Sequence, residues 1–305
     1  MSCKIPIIWY DRSNKILLWG EVMENIRIYA FADEASGESL GQIRAMERNG
    51  LQGIELRGTE FGNVSDLSFV AACLLRKRFS DAKLKVWSLG SPIGKIGVGD
   101  DFVAHLEKFR NTLEIAKLMG AENIRLFSFY IPRDKTYEEC RGEVMDRLGK
   151  MVEMAAAYNV TLCHENEKGI YGDDAVHCLD ILKTFPSIKG IFDPANFVQC
   201  GQETLAAWEM LKPYIKYMHI KDALTDGRVV PAGCGAGNLK PIVSDFIARG
   251  GRDFTIEPHL TVFKGLSGLE RAGEESKVGE VYTYPDSDSA FDAACNAFKK
   301  LISEI

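Results

Sequence analysis

The stretch Ile26-Arg27-Ile28-Tyr29-Ala30-Phe31, followed directly by Ala32-Asp33-Glu34-Ala35-Ser36, decides between two architectures. Its first six residues are rich in β-branched and aromatic side chains and read as a strand. An open, doubly wound sheet that binds dinucleotides places Gly-x-Gly-x-x-Gly after its first strand, because glycines let backbone approach a pyrophosphate. Here Asp33-Glu34 stands in that turn instead. Outward from this point the same short runs recur at 53–56, 84–89, 123–127, 160–163, 190–193, 215–220 and 254–257, making eight strand candidates. Helical periodicity fills the intervals. Val103, Leu106, Phe109, Leu113 and Ala116 step by three and four through 102–119, and Val144, Leu148, Met151, Val152 and Ala155 do so through 143–158. Gly50, Gly120 and Gly250 each close a helical stretch shortly before a strand. Strands alternating with helices imply parallel β-α units. With 305 residues, a little above the roughly 250 of a typical barrel, the expected fold is α/β, a single (β/α)8 TIM barrel.

Residues 1–24 precede the pattern and are expected as an N-terminal extension, with the barrel over 25–305. The segment 264–288 is rich in glycine, serine and charge, and is expected as a long loop before a closing helix from about Ala290. Such a loop lies on the active face, as a lid or a subunit contact consistent with a homo-oligomer. Composition narrows the function. Lysine and arginine total 37 against 43 acidic residues, and no basic block offsets that balance, so no nucleic-acid partner is expected. No apolar stretch approaches the roughly 18 residues of a membrane span. Asp11-Arg12-Ser13-Asn14-Lys15 splits the N-terminal apolar runs, which denies them a continuous signal-peptide core. Eight cysteines without a C-x-x-C pair read as reduced thiols in a cytoplasmic protein.

Active residues of a barrel gather at the C-terminal ends of its strands. The last four strands end in His164-Glu165-Asn166-Glu167, Asp193-Pro194-Ala195-Asn196, His219-Ile220-Lys221-Asp222 and Glu257-Pro258-His259. Glu165, Asp193, His219 and Glu257 thus give one possible metal ligand per strand. Three carboxylates and an imidazole suit one divalent ion, Mn²⁺ first, with Mg²⁺ or Co²⁺ close behind; the absence of cysteine at these ends lowers Zn²⁺. Burying those carboxylates together without a cation would be strongly repulsive. The competing reading makes them helix caps or ion pairs. Strand alternation puts Glu167 on the face of Glu165, Lys221 with His219 and His259 with Glu257, while His164 points toward the helices as a packed or hydrogen-bonded residue. Lys221 and His259 are placed to bind substrate hydroxyls or a phosphate, and Asn196 a hydroxyl.

These motifs, with Gly169-Ile170-Tyr171-Gly172-Asp173, Gly227-Arg228-Val229-Val230-Pro231-Ala232-Gly233, Asp33-Glu34, Glu55-Leu56-Arg57 and Ser91-Pro92-Ile93-Gly94-Lys95, resemble the sugar phosphate isomerase/epimerase family of the xylose isomerase-like barrel superfamily. The resemblance runs from about Ile26 to Leu260. It implies one divalent metal on Glu165, Asp193, His219 and Glu257. It also implies that Glu165 and Glu257 flank the substrate as catalytic acid and base, and that Arg228 binds substrate oxygens. Asn196 stands where several family epimerases place a histidine, and Cys234 replaces a common acidic residue. The expected activity is metal-dependent isomerisation or epimerisation of a sugar or sugar derivative through a metal-stabilised enediolate. The alternatives are a lyase or dehydratase acting on an oxidised sugar or cyclitol, an apurinic-site endonuclease and a non-catalytic sugar-binding barrel. With only five histidines and an acidic balance, the endonuclease is disfavoured.

Overall fold

The computed structural model describes residues 25–266, 271 and 276–305, together with the backbone of 8–10 and 16–18. Eight strands, Arg27–Ala30, Gly53–Leu56, Lys85–Leu89, Asn123–Leu126, Thr161–Glu165, Lys189–Phe192, Ile215–Ile220 and Asp253–Ile256, form a closed barrel. Each pairs in parallel with its sequence neighbours, and Asp253–Ile256 closes onto Arg27–Ala30 in register. Asp253 and Arg27 are ion-paired across that closing seam at 2.6 Å. Of the expected extension, Ile8–Tyr10 and Ile16–Leu18 pair antiparallel; the rest of 1–24 lies outside the described residues. The expected loop is described only at 264–266, 271 and 276–286, ahead of the closing helix Ser287–Ser303.

Helix Phe102–Met119 occupies the expected range and ends on Gly120, whose φ of 70° is the left-handed cap that glycine accepts without strain. Its buried stripe differs from the apolar spacing: His105 takes an inward place, while Val103 is 75% exposed. The next helix begins at Tyr137, ahead of the apolar period that starts at Val144. Thr136 and Glu139 form a reciprocal capping box there, which stabilises a polar first turn that carries no hydrophobic signal. Among the described residues no helix is long and apolar enough to cross a membrane. The described cysteines are free thiols.

The barrel interior is layered. Its floor is Tyr29, Trp87, Cys163, Ile191 and Tyr217, with Tyr29 stacked on Trp87 at 4.1 Å and Tyr217 edge-on to Trp87 at 4.7 Å. Gly53 permits this packing, since a Cβ there would lie 2.6 Å from the Tyr29 ring. Above this plug lie the buried charged side chains Glu55, Arg57, Arg125, Glu165, His219 and Glu257, so the floor separates them from the base of the barrel. Trp87→Ala should lose about 3–5 kcal/mol, read as a lower urea midpoint, because neighbouring rings can only partly collapse into the void.

Candidate active site

Alternation along the strands builds the upper half of the barrel. Above Tyr217 come His219 and Lys221 on one strand, Glu55 and Arg57 follow each other on another, and Glu165 stands across from Arg125. Glu165, Asp193, His219 and Glu257 are all buried, and one ligating atom from each lies within 4.8 Å of the others. His219 Nδ1 is 2.8 Å from Glu165 Oε1 and 3.7 Å from Glu257 Oε2. Its Nε2 faces Glu55 Oε2 at 3.3 Å. Glu55 also accepts from Ser88 Oγ, Tyr217 OH and Thr255 Oγ1, which fixes it beneath the imidazole. A carboxylate behind Nε2 favours the proton there and leaves the Nδ1 lone pair facing the cluster. Burial opposes a charged imidazole, but Glu165 and Glu55 outweigh it and lift the His219 pKa to about 10, so a divalent ion would have to displace a proton from Nδ1 to take that lone pair.

Two arginines hold the outer carboxylates. Arg125 Nη1 donates to Glu165 Oε2 at 3.0 Å, and its Nη2 donates to the carbonyl of Gly90. Arg57 Nη1 donates to Glu257 Oε1 at 2.9 Å, while Nε and Nη2 reach Asp33 and Glu34. Both guanidinium groups lie over the Phe31 ring, at 4.3 and 4.9 Å from its centroid. Lys221 Nζ is 3.0 Å from Glu257 Oε2 and 3.0 Å from Asp193 Oδ2. The second contact lacks hydrogen-bond direction, so Asp193 Oδ2 is buried with an ionic neighbour and no hydrogen bond. Asp193 Oδ1 meanwhile caps helix Pro194–Gln199 through Asn196 N–H. For this residue the cap and the cluster position are compatible, one oxygen serving each.

The donor set fits a divalent ion. Ligating atoms about 2.0–2.2 Å from one centre stand close to the separations found here. The orphaned Asp193 oxygen faces the cluster. Among the described residues, seven carboxylates (Asp33, Glu34, Glu55, Glu165, Glu167, Asp193 and Glu257) meet five lysines and arginines in this half of the barrel. Glu165, Asp193, His219 and Glu257 would hold the ion, with Glu55 orienting the imidazole.

A narrow cleft opens above the cluster. Glu167, Asn196, Lys221 and His259 line it, as their strand positions suggest, together with Glu257. His259 sits at φ 45°, held by its own N–H donating to Glu34 Oε2 at 2.6 Å. Arg228 is not brought to the cleft. It lies on the hairpin between Asp222–Ala223 and Val229–Val230, 38% exposed and paired with Asp226 at 2.8 Å. His164 faces outward as expected, its Nε2 3.0 Å from Ser128 Oγ, and burial lowers its pKa to about 3.

The strand-end reading of the second half overlooks Glu55, Arg57, Lys95, Arg125 and Lys168. Arg57 and Arg125 stand two residues above inward positions, so the alternation used elsewhere would have found them. Lys95 had no such signal. Its loop is placed by His105 Nε2, which accepts Gly94 N–H at 2.8 Å. Burial, aided by Lys108 and Arg147, lowers the His105 pKa to about 4 and keeps it a neutral acceptor. Lys95 then reaches Glu167 Oε2 at 2.8 Å. Burial would raise the Glu167 pKa, but Lys95, Lys168 and Lys221 outweigh it and hold it at about 2. Asp222, next to Lys221, accepts N–H groups of Ala223, Gly233, Gly235 and Gly237. A Cβ at Gly235 would lie 2.3 Å from Asp222 Oδ1, and Gly233 sits at φ 85°, which explains the glycines flanking the exposed Cys234.

The profile of the xylose isomerase-like TIM barrel family matches residues 43–274. The chain belongs to that family. Among curated proteins, this family member is 22% identical over 176 residues to a 3-dehydroshikimate dehydratase of Bacillus anthracis, covering 57% of this chain and 62% of the relative. It spans less than two thirds of the length of the curated relatives it matches. Among solved structures, the IolI protein with a bound zinc atom superimposes with TM-score 0.70 at 16% identity, covering 92% of this chain and 99% of that one. A D-allulose 3-epimerase from Methylomonas sp. in complex with D-allulose gives TM-score 0.66 at 15% identity, covering 90% and 96%. These likenesses establish the fold. Glu55→Gln should leave far-UV circular dichroism unchanged and weaken Mn²⁺ binding about 10- to 100-fold in a chelator competition titration, because the imidazole loses its orienting carboxylate.

Proposed function

We propose that this family member is a divalent-metal-dependent enzyme that moves a proton at a carbon beside a carbonyl, isomerising or epimerising a sugar or sugar derivative. The observation that carries the reading is the pair of arginine-tethered carboxylates, Glu165 on Arg125 and Glu257 on Arg57, at one buried ligand cluster. Each has its second oxygen beside His219 or Lys221, so both are fixed in orientation before substrate arrives. They stand on different strands, and a substrate lying between them meets a base on one face and an acid on the other. Burial would raise the Glu257 pKa, but Lys221, His259, His219 and Arg57 outweigh it and keep the carboxyl ionised and able to accept a proton. When bound, a divalent ion would supply Lewis-acid polarisation of the carbonyl. Manganese is the first choice for so oxygen-rich a donor set; the zinc in the IolI structure supports a divalent ion in such barrels. Asn196 and His259 would orient hydroxyls from the cleft wall.

A dehydratase is the second reading, and Lys221 favours it. Its buried ammonium, 3.0 Å from both Glu257 and Asp193, is placed to hand a proton to a departing hydroxyl once Glu257 has taken one from the neighbouring carbon. The curated dehydratase relative supports the same chemistry. Incubation of the Mn²⁺-loaded protein with sugars and sugar acids in deuterated water separates the two: deuterium in a recovered isomer supports the first, and loss of water the second. Prolonged chelation should abolish turnover and Mn²⁺ restore it. Glu257→Gln should lower kcat by about 10²–10⁴-fold. Full activity after verified metal removal would overturn the proposal.

A further inference from the structure

We propose that the substrate carries an anionic group, a carboxylate or a phosphate, held at the mouth of the cleft by the Lys168 ammonium. The inference rests on the reading of the cleft as the active site and adds the class of molecule that enters it. Five of the side chains lining the cleft are cationic, against two carboxylates. Four of those cations are matched by the protein itself. Arg57 serves Asp33, Glu34 and Glu257; Arg125 serves Glu165; Lys221 serves Asp193 and Glu257; Lys95 serves Glu167.

Lys168 differs. Its Nζ donates to a neutral group, the Ser276 hydroxyl, at 2.8 Å, and among the described residues no carboxylate forms an ion pair with it. The adjacent Glu167 is already engaged, Oε2 by Lys95 and Oε1 by the backbone N–H of Lys168. Lys168 is also only partly exposed, so its ammonium has lost some of its hydration, and its nearest negative charge, Glu167, is shared with Lys95 and makes no direct ion pair with it. An anion at this point restores that loss through charge-assisted hydrogen bonds, which are about twice as strong as neutral ones. A neutral polyol in the same cleft leaves the ammonium answered only by hydroxyls. The cleft therefore has two poles, the carboxylate–imidazole cluster at its base and a lysine at its mouth. A polyhydroxy chain with one charged end, an aldonate or an aldose phosphate, satisfies both.

The test measures binding to the Mn²⁺-loaded full chain by calorimetry, using aldonates, aldose phosphates and alditols of matched chain length. At least one of the two anionic series should bind about tenfold or more tightly than the alditols, and which series does so identifies the group as carboxylate or phosphate. Lys168→Met should bring the preferred anion to within about threefold of its alditol while alditol affinity stays unchanged. Direct chelation of the metal by an anion would survive Lys168→Met, so a preference that persists in the variant overturns the proposal. Equal binding of anions and alditols, or binding of none, overturns it too. Mn²⁺ affinity, measured in the same samples, reports separately on the metal centre. If it is retained while the anion preference is absent, only the assignment of the substrate's charge fails.

Discussion

Holding several carboxylates together inside a protein is the constraint on which the rest of this structure depends. Three of them and an imidazole come within 4.8 Å of one another in a buried layer. Unpaired, they would repel too strongly to coexist at neutral pH. The barrel offsets that repulsion from the sides with Arg57 and Arg125, both packed on Phe31, and from above with Lys221. The apolar plug of Tyr29, Trp87, Cys163, Ile191 and Tyr217 keeps water from reaching the cluster from below. The buried set of three carboxylates and an imidazole is what suits the site to a divalent ion.

That electrostatic arrangement is also one of position. Each arginine is fixed at more than one acceptor, so the carboxylate it serves has little rotational freedom. Glu55 does the same for His219 from beneath. Further out, neutral groups set the loops: His105 pins Gly94 and so places Lys95, and Asp222 gathers four backbone N–H groups to shape the turn beyond Lys221. A fold-wide framework thus holds the carboxylate–imidazole cluster, and the cleft above it is lined by strand-end residues together with loop residues.

A good part of this was legible in the chain. The eight strands and the closed barrel follow from hydrophobic periodicity and from the absence of a glycine-rich turn after Phe31, both local properties. The cluster of Glu165, Asp193, His219 and Glu257 follows from the rule that strand ends converge at one face, which requires only the position of each strand. Alternation placed Glu167, Lys221 and His259 in the cleft and turned His164 outward. Periodicity was a poorer guide where polar interactions dominated. The capping box at Thr136 and the buried His105 are held by hydrogen bonds that apolar spacing does not register.

What the sequence by itself determined is the order of elements and the identity of the residues at each strand end, because strand and helix periods are written into neighbouring side chains. Only the tertiary structure decided which charges meet. Arg57 pairs with Glu257 across 200 residues of chain and Glu55 with His219 across 164, and closure of the barrel alone brings them together. The same holds in the negative sense for Arg228, which sits in a motif close to Lys221 in sequence but pairs with Asp226 on its own hairpin and does not line the cleft. Sequence proximity fixes backbone geometry within an element, whereas the pairing of buried charges depends on distances that only the closed barrel sets.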